Sequence, residues 1–354
     1  MGVDEWRARI DHIDHQLLEL LNQRADIAIR VGRAKRAAGS EVYVPEREHD
    51  VLERLARLSG GPLPADAVRT IWREILSASR ALQRAFRVAY LGPAATYTHL
   101  AAIREFGSSA ELVPVRGIHE VFTEVEHEQA DVGVVPVENS TEGAINHTLD
   151  RLIDSELPIC GEIQLEIQHC LLSQAPESGA VKRVYSHPQA LAQCRAWLDR
   201  NLPHAQTVEV ASTAAAVEQA LEDAAAAAIA SELAGRIHGL PTLRERIEDL
   251  AQNVTRFLVI GRRPMGPTGR DKTSILLSIK DEVGALYRIL EPLATARVNL
   301  TKIESRPTRR RPWEYVFFVD FEGHQADERV QAVLAGLRER CLFLKVLGSY
   351  PAAA

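Results

Sequence analysis

Residues 132–145, VGVVPVENSTEGAI, decide how the chain is read. The opening run Val132-Gly133-Val134-Val135 is apolar without alternation, which fits a strand covered on both faces. A polar turn, Glu138-Asn139-Ser140-Thr141-Glu142-Gly143, follows it and leads into a helical stretch. Short apolar runs recur at 88–91, 112–115, 184–185, 208–211 and 227–230 with helical sequence between them, so this part of the chain is α/β. Three further turns share the strand-to-helix position: residues 92–98 (GPAATYT), residues 186–189 (SHPQ) and Ser212-Thr213. Their backbone N–H groups suit a carboxylate, although an N-cap is the plainer role for each. The longer segment 159–172 reads as a crossing between two lobes, with a ligand cleft between them.

Upstream the pattern is helical. Residues 4–38 contain no proline, and Ile10, Ile13, Leu17, Leu20, Ile27 and Val31 recur at helical spacing. One helix of that length spans roughly 50 Å, more than a small domain is wide, and needs a partner along its length. Two shorter helices follow, one opened by Pro45 and one by Pro64, and no strand. Three such helices cannot bury the first one, so two chains are expected to intertwine into a bundle. Arg24 lies on the apolar stripe and Lys35 returns to the same face three turns on. Each alone could snorkel to solvent. Arg47-Glu48 in the second helix and Ser79 and Gln83 in the third add further polar groups, and an interior so lined needs an anionic ligand to satisfy it. Arg7 is a quarter turn off the Arg24 face and reaches a shared site most easily from a second chain.

Downstream, residues 261–272 are rich in Gly, Pro and Arg and read as a linker. Strand 274–279, helix 285–295, strands 298–304 and 315–321, helix 327–338 and strand 342–346 then give the order βαββαβ, the ferredoxin-like split unit. The chain is thus multidomain: all-α over 1–85, α/β over 86–263 and α+β over 272–350.

Composition limits what such a chain does. Its 354 residues, 46% hydrophobic and 25% charged, are those of a globular protein, and no apolar run approaches the roughly 20 residues of a membrane span. The first ten residues carry Asp4, Glu5, Arg7 and Arg9 and lack a secretory core, so a cytosolic location is expected. Cys160, Cys170, Cys194 and Cys341 are widely spaced without a CxxC pair, and the twelve His show no HExxH, so neither a disulfide framework nor a metal site is expected, and no cofactor. A net charge of −6 gives no general attraction to nucleic acid; the basic run 306–311 reads as a solvated loop.

Three motifs now carry a resemblance. WRARIDHIDHQLLELLNQRADIAIRVGRAK, VYVPEREHDVLERL and IWREILSASRALQ, covering nearly all of residues 5–85, resemble the small all-helical chorismate mutases. The resemblance implies that Arg24, Arg47 and the partner's Arg7 hold the carboxylates of chorismate, that Lys35 and Gln83 face the ether oxygen, and that Glu48 and Ser79 bind the hydroxyl side. Val44 departs from the pattern, standing where some relatives have an Asp.

VPVENSTEGAI, YSHPQALAQC and NVTRF resemble prephenate dehydratase over about residues 88–262, NVTRF most specifically. This implies a two-lobed fold like that of the periplasmic binding proteins, and conversion of prephenate to phenylpyruvate. Thr255 is the candidate that donates to the leaving hydroxyl. Thr96, Asn139, Ser140, Thr141, Ser186, His187, Gln189, Ser212 and Arg256 are candidate substrate contacts, His187 as an orienting group more than an acid. The family's second glycine in the first turn is Ala95 here.

Residues 272–350 resemble an ACT regulatory domain, which implies that Gly284-Ala285-Leu286 and Glu304-Ser305-Arg306 meet around phenylalanine at a dimer interface. A plain dimerisation module is the alternative. Two other functions compete for the whole chain. A mutase–dehydrogenase would need a GxGxxG loop, and none occurs. A non-catalytic amino-acid sensor would leave the cationic bundle interior and Thr255 unexplained.

Overall fold

A computed structural model describes residues 2–39, 43–250, 252–280, 282–307 and 315–353. Residues 308–311 of the basic run lie outside the described residues. The chain forms two compact units, Met1–Arg87 with Glu105–Glu111, and Val88–Arg104 with Leu112–Ala354.

The first unit holds α1 (Val3–Ala37), α2 (Pro45–Leu58) and α3 (Ala65–Ala81). Asp4 and Glu5 in the first turn of α1, and Lys35 and Arg36 in its last, oppose the helix dipole at both ends. Pro45 starts α2, where its missing N–H is harmless. Arg69 clamps α3 to α2 through Glu53 (2.8 Å). The row Ile10, Ile13, Leu17, Leu20, Ile27 and Val31 of α1 is at least 45% exposed throughout, and the helix buries Gly32 alone. Near the end of α3, Arg80 lies among the rings of Tyr43, Phe86 and Phe106 and donates to the Phe106 carbonyl.

The second unit begins with a lobe made of β1 (Arg87–Leu91), α4 (Tyr97–Phe106), β2 (Glu111–Val115), α5 (Ile118–Glu126), β3 (Val132–Asn139), β4 (Gly143–Ala144), α6 (Asn146–Asp154) and β5 (Ile159–Glu166). The chain crosses into a second lobe after Glu166. There follow β6 (Cys170–Ser173), β7 (Arg183–Ser186), α7 (Pro188–Gln193), α8 (Arg195–Asn201), β8 (Gln206–Glu209), α9 (Thr213–Leu221), β9 (Ala226–Ala230), α10 (Glu232–His238) and β10 (Thr242–Arg244). The chain then returns as β11 (Val254–Gly261), which enters the first lobe between β3 and β5, antiparallel to both. The sheets run β2-β1-β3-β11-β5, with β4 on β3, and β10-β6-β9-β7-β8. β9 is buried throughout and β3 everywhere but at Glu138, and the two contain the apolar runs at 227–230 and 132–135 that the sequence singles out.

The remainder is β12 (Asp271–Ser278), α11 (Ala285–Thr295), β13 (Leu300–Pro307), β14 (Tyr315–Glu322), α12 (Glu328–Arg340) and β15 (Phe343–Pro351), in an antiparallel sheet ordered β13-β14-β12-β15. Ile275, Leu277, Phe321, Ile289, Leu293, Val333 and Leu337 form the core between this sheet and its two helices. The strand expected from 298 starts two residues later, because the Val298 N–H is still engaged by the Leu293 carbonyl at the end of α11 (2.9 Å). The strand expected at 208–211 lies at Gln206–Glu209. The sheet's other face lies against the first lobe, where Lys345 of β15 donates to the Ser155 carbonyl (2.5 Å).

Candidate active sites

In the helical unit the polar residues expected on one interior do gather, with exceptions. Arg24 donates to Ser79 Oγ and lies 5.6 Å from the Trp72 ring; Ser79 in turn donates to the Ile75 carbonyl (2.7 Å). Gln83 Nε2 donates to the Ser79 carbonyl (3.1 Å), which leaves Gln83 Oε1 buried with no hydrogen-bond partner among the described residues. A β-carbon at Gly32 would stand 2.7 Å from Gln83 Cγ, so α1 can pass Gln83 only because residue 32 is glycine. Glu48 pairs with Arg80 (2.7 Å). Burial holds the Glu48 carboxyl above its ordinary pKa against the pull of Arg80, Lys35 and Arg24, and burial lowers that of Arg24. Arg7 and Arg47 are exposed, and among the described residues Arg7 reaches only Asp4 (3.4 Å) on its own helix, about 25 Å along α1 from Arg24.

The second cluster lies where the two lobes of the second unit meet. Thr255 on β11 and Asn139 at the end of β3 are register partners on one face of the sheet. Asn139 Nδ2 donates to Thr255 Oγ1 (2.8 Å) and Asn253 Oδ1 (2.7 Å), while Asn139 Oδ1 accepts from the backbone N–H and hydroxyl of Thr141 (3.0 and 2.6 Å). Ser140 ties the turn to β11 by accepting from Val254 N–H (2.9 Å) and donating to the Gln252 carbonyl (3.1 Å). Across the cleft, Gln193 Oε1 accepts from Asn253 (3.0 Å) and meets His169 Nε2 (2.8 Å), while His169 Nδ1 meets the Tyr97 hydroxyl (2.9 Å). Burial lowers the pKa of His169 and raises that of Tyr97, so both are held neutral. The chain Thr255–Asn139–Asn253–Gln193–His169–Tyr97 is therefore a neutral hydrogen-bond network joining both lobes. Thr255 Oγ1 accepts from the Asn139 amide and has no acceptor for its own proton among the described residues.

Other expected contacts are engaged differently. Ser186 is fully buried and donates to the Ile229 carbonyl (2.6 Å), a strand-to-strand tie that leaves it unable to meet a ligand. Arg256 follows Thr255 on the strand and so points to the opposite face, where Glu162 (2.7 Å), Asp320 (2.7 Å) and the Tyr350 hydroxyl (2.9 Å) hold it; its place among the substrate contacts is withdrawn. His187 and Ser212 accept from Gln189 N–H and Ala215 N–H as N-caps, and the Thr96 hydroxyl donates to the Pro93 carbonyl (3.0 Å) while accepting from His99 N–H (3.3 Å). Gln189 is half-buried, one turn before Gln193 on α7. Ala95 keeps the left-handed φ of 69° that a glycine would adopt freely.

In the C-terminal part, Gly284 caps α11 with a φ of 78°, and Gly284 and Leu286 are exposed beside half-buried Ala285. Glu304 is half-buried and Ser305 exposed on β13. Arg306 is buried and bonds Asp150 (2.5 Å) and Asn146 of α6, which removes it from the expected phenylalanine contacts.

Sequence reading missed Gly32, Tyr97, His169, Gln193 and Asn253 as site residues. Four of them stand inside quoted stretches: Gly32 in RVGRAK, Tyr97 in GPAATYT, Gln193 in YSHPQALAQC and Asn253 in NVTRF. His169 had no such signal, since only the crossing of the chain between lobes brings it to Gln193.

A helical unit with a cationic interior, a two-lobed α/β cleft and a βαββαβ module together define a multidomain enzyme with a regulatory C-terminal module. Family models match three segments: chorismate mutase type II over residues 6–84, prephenate dehydratase over 88–265 and ACT domain over 273–339. The bifunctional chorismate mutase/prephenate dehydratase of Aquifex aeolicus is 52% identical over 99% of this chain and 98% of its own length, and that of Pseudomonas aeruginosa 44% over 98% and 97%. A solved prephenate dehydratase from Arthrobacter aurescens in complex with L-Phe, 38% identical, superposes with a TM-score of 0.70 over 75% of this chain and 90% of its own. The chain belongs to the bifunctional chorismate mutase/prephenate dehydratase family.

Proposed function

We propose that the chain rearranges chorismate to prephenate in its helical unit and converts prephenate to phenylpyruvate in the two-lobed cleft, under inhibition by phenylalanine bound to its C-terminal module. The corresponding domains are residues 1–85, 86–263 and 272–350. It acts in the cytosol as a homodimer or higher homo-oligomer, in which the exposed apolar row of α1 is covered by a second copy.

The first reaction is pericyclic, so the site has only to hold a compact conformer and stabilise charge on the breaking ether. Arg24, Arg47 and the partner's Arg7 hold the carboxylates; Lys35 and Gln83 face the ether oxygen, and Ser79 and Glu48 the hydroxyl side. In the second, the C–CO₂ bond breaks and its electron pair enters the ring as the C–O bond to the hydroxyl breaks. Carbon dioxide leaves, and the departing hydroxide takes a proton to become water. The observation that carries this assignment is the Thr255 hydroxyl, whose oxygen is fixed by the Asn139 amide and whose proton is left over for a ligand in the cleft. Aromatisation supplies the driving force, and Thr255 eases departure of the hydroxide as its hydrogen bond strengthens in the transition state.

The test is to assay chorismate and prephenate separately. Thr255→Ala should lower dehydratase kcat by about 10²-fold or more at little change in KM, with mutase activity untouched, and Thr255→Ser should retain much of the rate. A rise in KM alone would make Thr255 a binding residue only.

A further inference from the structure

The reverse face of the cleft sheet carries charges for which neither reaction has a use. Alternation along β3 and β11 sets Glu138 and Arg256 on that face, each one residue from Asn139 and Thr255 on the cleft face. Arg256 is opposite Glu138 on one side and Gln164 on the other, in the middle of three strands. Its guanidinium reaches Glu162 of β5 and then leaves the lobe altogether, for Asp320 of β14 and Tyr350 of β15. The shell around it is closed. Glu162 also accepts from Lys272 Nζ (2.7 and 2.9 Å), Asp320 from Ser274 Oγ (2.6 Å), and Ser274 meets the Tyr350 hydroxyl (2.6 Å). Beside it, Lys302 of β13 donates to Glu138 Oε2 (2.7 Å). Burial disfavours the charge on Arg256, yet Tyr350, Asp320 and Glu162 outweigh it and hold its pKa above the ordinary value. Apolar side chains would join two sheets without the desolvation cost of so many charges, so the set specifies geometry more than adhesion.

We propose that Arg256 is a positioning residue for the dehydratase reaction. Anchored by Asp320 and Tyr350 of the C-terminal sheet and by Glu162 of β5, it fixes the position of β11 at which the Thr255 hydroxyl meets the Asn139 amide. A single planar peptide unit links the two residues on a strand paired on both sides, so the placement of the Arg256 backbone constrains that of Thr255. A change in the C-terminal sheet is thereby felt at Thr255 without any residue of that sheet entering the cleft. The inference rests on Thr255 acting at the leaving hydroxyl.

The test measures both activities and thermal stability of the full-length chain. Arg256→Gln should lower dehydratase kcat about tenfold or more with KM within about twofold, and Arg256→Lys, which keeps the charge, should lose less. Asp320→Asn, in a residue remote from the cleft, should act in the same direction, and mutase activity should be unchanged in every variant. The Asp320→Asn effect should shrink by about threefold or more in a Thr255→Ser background, where the hydroxyl has lost the β-branch that holds its rotamer. Variants with lowered thermal stability but unaltered kcat, or an Asp320→Asn effect that simply adds to that of Thr255→Ser, would make Arg256 a fold residue and overturn the proposal. Should Arg256→Gln not fold, Asp320→Asn alone and in the double variant decides by the same criteria. Failure of the underlying reading has a separate signature, full kcat in Thr255→Ala.

Discussion

Gly32 and Gln83 show how a site depends on a side chain that is absent. The Gln83 amide can lie against α1 because residue 32 offers no β-carbon, and its Oε1 stays buried and unpaired among the described residues. Gly32→Ala should therefore displace Gln83 and lower mutase kcat/KM by about tenfold or more, even though alanine favours the helix intrinsically by roughly 1 kcal/mol. The informative result is lost mutase activity in a protein whose dehydratase activity and melting temperature are kept or improved; unchanged mutase activity would mean that Gln83 needs no such clearance. At this scale the structure brings together some of the residues that the sequence singles out, Arg24 with Ser79 and Asn139 with Thr255. The sequence misled where neighbours along the chain are not neighbours in space. Arg256 follows Thr255 directly, but the period of two along a strand sends the pair to opposite faces.

Among elements, the stretch 4–38 predicts α1 to within one residue at each end, because 35 residues without proline and with acidic and basic ends leave little else to form. Its partner is another matter. The apolar row that made it recognisable is exposed on the single chain, and Arg7 lies far from Arg24 along the same helix. If each mutase site takes Arg24 from one copy and Arg7 from the other, Arg7→Ala and Arg24→Ala proteins should each be nearly inactive. Unfolded and refolded together, they should regain about a quarter of wild-type mutase activity, since half of the chains enter mixed dimers and one site in two is then intact. Verified mixed dimers without recovered activity would mean that each site is built from one chain. The turns after β7 and β8 were legible as helix starts but not as contacts, since capping and ligand binding draw on the same residue types.

At the scale of the whole molecule, regulation requires that phenylalanine and prephenate favour different arrangements of the second unit. Linkage then makes their effects mutual. The Thr255→Ala protein, which should hold prephenate without turning it over, allows the measurement by calorimetry: saturating prephenate should weaken phenylalanine binding by about 5–150-fold, and phenylalanine should weaken prephenate binding by the same factor. Gly284→Val, which forces a branched residue into a left-handed turn at the head of α11, should abolish phenylalanine binding and leave prephenate binding intact. Loss of both together would place phenylalanine in the cleft. Domain order and fold class could be read from the sequence because each part has its own periodicity. The packing of the C-terminal sheet on the first lobe could not, since Lys302, Lys272 and Asp320 look like ordinary surface charges until the strands are laid side by side.

The path of β11 also governs how the protein comes into being. The strand that fills the gap between β3 and β5 is made only after the entire second lobe, so on the ribosome the first lobe waits with two unpaired edges in its sheet. At about 5–20 residues per second, synthesis of the intervening chain takes several seconds, long compared with the time in which hairpins and helices form. The second lobe, whose sheet needs no strand from outside residues 170–244, is free to fold first. Thr255 arrives with the closing strand, so its pairing with Asn139 and the closure of the first lobe are one event.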